Sequence, residues 1–328
     1  MYKHGFTLGK FLPPHNGHLH LIREAKKLCE SLTVLVCSLK SEPIDGVLRH
    51  KWLTTIFENE PNIKFIHVTD EVPQYPHESP DFWNIWIELI NRNVPEKEVF
   101  FSSEKYGDDV ATHLNIDHVC IDLNRNTYPV SGTAIRNDPF TMWNFLHPII
   151  RQYFVKRIVL TGAESVGKST MIKYLTKHYN TNHVDEYGRL YCEIHKPATL
   201  YPVDFTFIAK KQIENEDVAA FYSNKILFCD TDLIVTEIYS RMYNNDCPQE
   251  IVKINKSRKY DLHLLLDVDL EFENDGTRIY LDPKRRQEHS DKIENALIFY
   301  GANYRKISGK GEDRFKNAIN EINKYLNL

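Results

Sequence analysis

The stretch Gly162–Thr170, GAESVGKST, constrains the fold of this chain more than any other. Its spacing is G-x-x-x-x-G-K-[ST]. An apolar strand pattern, KRIVLTG, runs into it, and a helical pattern, TMIKYLTKHY, leaves it. A glycine-rich loop between a strand and a helix turns its backbone N–H groups onto an anion, and the helix N-terminus adds partial positive charge. Lys168 is then positioned to bridge the β- and γ-phosphates of a triphosphate, and the Ser169 hydroxyl to ligate Mg²⁺. Gly162, Glu164, Val166, Gly167 and Thr170 complete the predicted ATP-binding loop.

Strand and helix patterns alternate through the rest of the chain, which argues for parallel sheets covered on both faces. The first series has apolar runs at 6–11, 32–39, 63–68, 99–102 and 118–123, with helical patterns between them. The second begins at Lys156. The segment 137–154, NDPFTMWNFLHPIIRQYF, reads as a packed connector because it is rich in aromatics and holds two prolines. A length of 328 residues suggests two domains. The predicted fold is therefore α/β with two domains, each with a mainly parallel sheet: 1–154, including the connector, and 155–328. The net charge of −4, with no basic run, gives no sign of a nucleic-acid partner. No run of about 18 apolar residues is long enough for a membrane span, and MYKHGFTLGKF lacks the apolar core of a signal peptide. The six cysteines lie far apart and form no C-x-x-C, as expected of reduced thiols in a cytoplasmic protein. Composition leaves a homo-oligomer open.

The second half reads as a compact kinase for a small acceptor. ILFCDTD ends a strand with Asp230, a candidate metal ligand, and Asp232, a candidate substrate ligand. VDEYGR supplies Asp185 and Glu186, either of which could orient or deprotonate an acceptor hydroxyl, and Arg189 beside them. Arg278, Arg285 and Arg286, in a polar segment, have the composition of a lid whose arginines reach the transferring phosphoryl group. The base-reading N-K-x-D of GTPases is absent from the sequence.

In the first half, GKFLPPHNGHLHLI sets His15 and His18 at the start of a helix, just after a predicted strand. Imidazoles there can donate hydrogen bonds to a nucleotide's phosphates, helped by the helix N-terminus. Gly9, Lys10 and Phe11 form the tight turn before them. No cysteine or carboxylate stands close enough in this segment to make a zinc site with the histidines. At the other end of this half, VSGTAIR carries Ser131, Thr133 and Arg136.

Together, H-x-G-H after the first strand and S-x-T-x-x-R after the last resemble the nucleotidylyltransferase superfamily. In that superfamily both motifs hold the ATP triphosphate. The resemblance implies a Rossmann-like first domain, with phosphate contacts from His15, His18, Ser131, Thr133 and Arg136, assisted by Lys10. Joined to a P-loop kinase, it resembles the bacterial NadR-type family, in which nicotinamide mononucleotide adenylyltransferase is fused to ribosylnicotinamide kinase. The likeness extends over nearly the whole chain through GKFLPPHNGH, VSGTAIRNDP, FVKRIVLTGAESVGKST, DEYGR and DGTR. It implies phosphorylation of nicotinamide riboside by ATP. Adenylylation of the mononucleotide by a second ATP would follow, giving NAD and pyrophosphate, with Mg²⁺ as cofactor. Trp83, favoured over Trp86, and Tyr187 are the candidate platforms for nicotinamide. Alternative readings are an NAD- or ATP-sensing regulator with weak turnover, or the same architecture acting on another nucleoside. Family members that regulate transcription carry an N-terminal helix-turn-helix domain. This chain opens at the catalytic strand, so no repressor role is expected. Gly132 stands where many relatives have serine or alanine, which should loosen that helix start.

Overall fold

The computed structural model describes residues 1–270 and 283–327. Its contacts divide the chain into two units, Met1–Tyr153 and Phe154–Leu328. In the first, β1 (Tyr2–Gly9), β2 (Cys29–Cys37), β3 (Ile63–Val68), β4 (Val99–Ser102) and β5 (Asp117–Cys120) form one sheet in the order β3-β2-β1-β4-β5. Every pairing in it is parallel. The inner strands are short apolar runs: Val34, Leu35 and Val36 of β2 and Val99, Phe100 and Phe101 of β4 are wholly buried. That is the composition of strands covered on both faces.

The helix Asn16–Leu28 shows how sequence sets the packing. Leu19, Ile22 and Ala25 recur on the helical period and are buried, while Lys26 and Lys27 stand in its last turn, where the helix dipole favours cations. Strand order reverses at β1, with β2 on one side and β4 on the other. The loops leaving the carboxyl ends of β1 and β4 therefore diverge and open a crevice, the usual ligand site of such sheets. H-x-G-H lies after β1, and S-x-T-x-x-R follows β5.

The second unit repeats the device with β6 (Lys156–Thr161), β7 (Asn182–Val184), β8 (Ile226–Asp230), β9 (Leu262–Leu266) and β10 (Tyr304–Ile307), all parallel, in the order β10-β9-β6-β8-β7. Its core is built on Ile158 and Leu160 of β6, Phe228 of β8 and Leu264 and Leu266 of β9, covered by Met171, Ile172 and Leu175 of the helix Lys168–His178. The phosphate loop thus leaves the central strand, with a strand on either side of β6. No helix among the described residues is long and apolar enough to cross a membrane.

Candidate active sites

In the second unit the loop between β6 and Lys168 has the conformation its glycines permit. Gly162 adopts φ 141°, and a Cβ there would sit 2.8 Å from the Leu266 carbonyl, so only glycine fits between β6 and β9. The loop lines a cavity of about 900 Å³ together with Glu186, Arg189, Gln212, Thr231, Tyr239 and Tyr243. Of the expected ATP-binding residues, Gly162, Glu164, Val166, Gly167, Lys168, Ser169 and Thr170 all line it. The Lys168 ammonium donates to the carbonyls of Gly162 (3.1 Å) and Ala163 (3.0 Å), which holds its charge over the loop. Ser169 Oγ donates to Asp230 Oδ2 at 3.3 Å. Asp230 is 4% exposed, and its Oδ1 is buried without a hydrogen-bond partner. Burial pushes this carboxyl up in pKa, against the pull of Lys168. An orphaned carboxylate oxygen beside a hydroxyl at a phosphate loop is a donor set that suits Mg²⁺.

The tandem carboxylates after β7 part company. The Asp185 side chain is 86% exposed and faces His183 at 3.4 Å, outside the cavity lining. Glu186 lines the cavity, and burial raises its pKa against the opposing charge of Lys168. A carboxylate whose pKa burial raises is a stronger proton acceptor than a free one. Replacing Glu186 with Gln should lower kinase kcat about 10²-fold or more, whereas Asp185→Asn should change it less than about twofold. Steady-state phosphorylation by the two variants measures the contrast.

Three other expectations are corrected. Asp232 is wholly buried: Oδ1 caps the helix Leu233–Asn244 by accepting from Ile234 and Val235 N–H (both 3.1 Å), and Oδ2 meets His263 Nε2 at 2.8 Å. Both oxygens are committed to the fold, so it is no substrate ligand. Arg286 is a buried clamp on the loop: it donates to the carbonyls of Glu164 (3.1 Å), Ser165 (3.3 Å) and Leu270 (3.3 Å). Arg314 does the same to Val166 (3.2 Å). Carbonyls held outward by two guanidinium groups leave the loop's N–H groups for the phosphate. Tyr187 packs its ring 6.2 Å from Phe207 and does not line the cavity. Arg285 is exposed on the helix Pro283–Phe299, and Arg278 lies outside the described residues.

In the first unit, Phe11 stands at φ 47°, which a non-glycine residue holds only where its surroundings compensate. Here the ring is buried in the core, 5.0 Å edge-on from His18. The imidazoles of His15 and His18 stack at 3.7 Å. Burial holds His15 down at about 3 and, with the neighbouring His15 and Arg125 charges, keeps His18 well below its ordinary range. Both are therefore neutral at pH 7, and each has one N–H to offer a phosphate. Stability follows the sign of this shift. A base whose folded pKa lies below its unfolded value stabilises fully above about pH 6.5 and loses that stability as pH falls toward 3. His15 alone should cost the first unit about 2 kcal/mol between pH 7 and pH 5. All four tryptophans lie in this unit, so denaturant unfolding followed by tryptophan fluorescence reads it, and His15→Gln should flatten the dependence.

Ser131 caps the helix Gly132–Asn137, accepting from the Ala134 N–H at 3.1 Å. Arg136 donates to the Leu12 carbonyl and to Thr133 Oγ1 (3.1 Å), so it ties the second motif to the first loop. Gly132 tightens that junction instead of loosening it, because a Cβ there would lie 2.5 Å from Leu12 O. Lys10 pairs with Glu42 at 3.0 Å, and Glu42 with Arg49 at 2.6 Å. Arg49 is wholly buried and donates to the Lys10 carbonyl at 2.5 Å. This brace of the β1 loop escaped the sequence, since a carboxylate and an arginine in an ordinary helix entry carry no motif. A small cleft lined by Lys10, Gln74, Asp70 and Trp86 adjoins it. Trp86 Nε1 donates to the Pro73 carbonyl at 2.8 Å, whereas Trp83 stacks on His113 at 4.2 Å.

Residues 6–138 match the family described as cytidylyltransferase-like, and residues 157–314 match an AAA domain. Over 313 residues the chain is 29% identical to the trifunctional NAD biosynthesis/regulator protein NadR of Escherichia coli (strain K12), a match covering 89% of this chain and 76% of that one. Its counterpart in Salmonella typhimurium is 28% identical, over 84% of this chain and 71% of that protein. The chain is a homologue of NadR. Two crystal structures of NadR share the fold: one in complex with NR (TM-score 0.82, 22% identity) and one in complex with NAD and AMP-PNP (TM-score 0.79, 21% identity). Each covers all of this chain, which in turn covers 97% of that one. The NadR homology thus unites two α/β units of different families, cytidylyltransferase-like and P-loop, in one chain.

Proposed function

We propose that this chain makes NAD in two steps, phosphorylating nicotinamide riboside in its second unit and adenylylating the mononucleotide in its first. One observation carries the reading: in each unit the segment with the sequence of a phosphate-binding loop lies at the carboxyl end of the central strand and leads into a helix, after β1 in one and β6 in the other. Homology to proteins named for NAD biosynthesis supports the choice of product.

In the kinase step Glu186 accepts the proton of the riboside 5′-hydroxyl as its oxygen attacks the γ-phosphorus of ATP. Lys168 follows the transferring phosphoryl group. Ser169 and Asp230 would hold Mg²⁺, which neutralises charge on the β- and γ-oxygens when bound. Most of the rate comes from positioning and electrostatics, because the phosphoryl group already spreads its charge. In the second step the mononucleotide phosphate attacks the α-phosphorus of ATP and pyrophosphate leaves. That nucleophile is already an anion, so no enzyme base is required. His15, His18, Arg136 and the Ser131 helix start receive the charge developing on pyrophosphate. Trp83, one face of which stacks on His113, and Trp86, which borders Lys10, are the candidate platforms for nicotinamide.

Incubation of the pure protein with nicotinamide riboside, ATP and Mg²⁺, followed by mass spectrometry, should reveal mononucleotide and then NAD. Absence of NAD from both precursors would reject the reading. Chelation with EDTA should abolish both steps.

A further inference from the structure

No phosphate motif includes the segment between β5 and the Ser131 helix, yet its backbone is closely specified. The Asp122 carboxylate accepts from the amides of Asn126 (2.8 Å) and Thr127 (3.2 Å), and its carbonyl accepts from the Arg125 amide at 2.8 Å. Within this turn Arg125 stands at φ 53°, a left-handed conformation that costs a non-glycine residue on the order of 1 kcal/mol. Its side chain reaches back to the second motif, Nη1 donating to the Val130 carbonyl at 3.3 Å. Val130 is buried, and its Cγ1 lies 3.8 Å from where a Cβ on Gly17 would stand; the His15 ring is 3.2 Å from that same point. The residue whose carbonyl anchors the guanidinium thus packs against the H-x-G-H turn, and the guanidinium charge reaches both histidines and helps depress them.

Charge balance makes this placement matter. A triphosphate is a polyanion, and two neutral imidazoles cannot neutralise it. Lys10 is shared with Glu42; Arg136, whose partners Leu12 O and Thr133 are neutral, keeps its charge but does not by itself balance a triphosphate. The carboxylate partner of Arg125 is Glu104, at 2.8 Å, and both side chains are about half exposed (44% and 53%). An ion pair so open to water is worth about 1 kcal/mol or less, so giving it up for a phosphate costs little.

We propose that Arg125 is a further substrate-binding residue of the adenylyl-transfer site, exchanging Glu104 for the β- and γ-phosphates of ATP and for the departing pyrophosphate. The proposal rests on the reading of the first unit as an adenylyltransferase. It is tested in the full chain by steady-state kinetics from nicotinamide mononucleotide, and in reverse from NAD and pyrophosphate. Arg125→Ala should raise KM for ATP and for pyrophosphate alike, by about 10–100-fold, the value of a charge-assisted hydrogen bond. KM for the mononucleotide should stay within about twofold, and so should riboside phosphorylation. Arg125→Lys should recover part of the loss by restoring charge without the fork. Glu104→Gln should lower KM for ATP by removing the competing carboxylate. Unchanged KM values for ATP and pyrophosphate in Arg125→Ala would overturn the proposal. So would an equal rise in KM for the mononucleotide, which marks a general loss of structure. A wild-type chain that makes no NAD would overturn the adenylyltransferase reading and this proposal with it; an active wild type with an unaffected variant overturns this proposal alone.

Discussion

Lys168→Ala is expected to cut riboside phosphorylation by at least about 10²-fold, the scale of a lost transition-state donor, while conversion of mononucleotide to NAD stays within about twofold. The lysine ammonium is the cation lying over the phosphate loop, and its hydrogen bonds are to carbonyls of that loop. Its removal leaves Glu186 and Asp230 without the charge that offsets their burial, so both should also bind protons more readily. The kinase remnant should therefore work better, relative to wild type, at higher pH, where Glu186 is ionised again. Arg136→Ala should give the reverse pattern. It unties the second motif from Leu12, so mononucleotide should accumulate while phosphorylation persists. Because each variant acts in a unit with its own sheet, the double variant should combine both defects additively. A time course of riboside, mononucleotide and NAD distinguishes all four proteins. Loss of adenylyl transfer in a well-folded Lys168→Ala protein would refute the two-site mechanism.

Arg258→Ala is expected to destabilise the second unit by about 3–5 kcal/mol, because it strands a buried carboxylate. Glu216 is wholly buried on the helix Pro202–Tyr222, and Arg258 meets it at 2.8 Å, with the Tyr260 hydroxyl donating at 3.1 Å. Even with this partner, burial keeps the Glu216 pKa raised. A carboxyl whose folded pKa exceeds its unfolded value stabilises below the unfolded value and loses that contribution as pH rises through the folded one. The deficit of the variant should thus be larger at pH 8 than at pH 5. Circular dichroism should detect the earlier transition, while tryptophan fluorescence, confined to the first unit, should not move. Replacing both partners, Glu216→Gln with Arg258→Met, should recover most of the loss. The effect should reach catalysis. Gln212, one turn from Glu216, lines the cavity and accepts from the Tyr187 N–H at 2.9 Å, holding the helix that begins next to Glu186.

Sequence by itself determined the parallel α/β architecture, the strand-to-helix loops that follow β1 and β6, and the identity of the residues at each helix start. These are local matters. A glycine-rich turn between a strand and a helix, a serine capping Gly132–Asn137 and an apolar run long enough for one buried strand are specified within a dozen residues. The tertiary structure decided which of two adjacent groups faces the ligand. Asp185 and Glu186 are neighbours in sequence, but β7 ends there, and successive side chains leave a strand on opposite sides, so one meets His183 and water and the other the cavity. Asp230 and Asp232 also part, for a different reason: β8 ends at Asp230 and the chain turns at Thr231 (φ 65°), so one carboxylate meets Ser169 and the other His263. Nor could the sequence foresee the clamps. Arg286 meets the phosphate loop across more than 120 residues, Arg49 meets Lys10 across 39, and Arg125 meets Glu104 across 21. A side chain's role depends on what burial removes from water around it, and that environment exists only once distant segments have packed together.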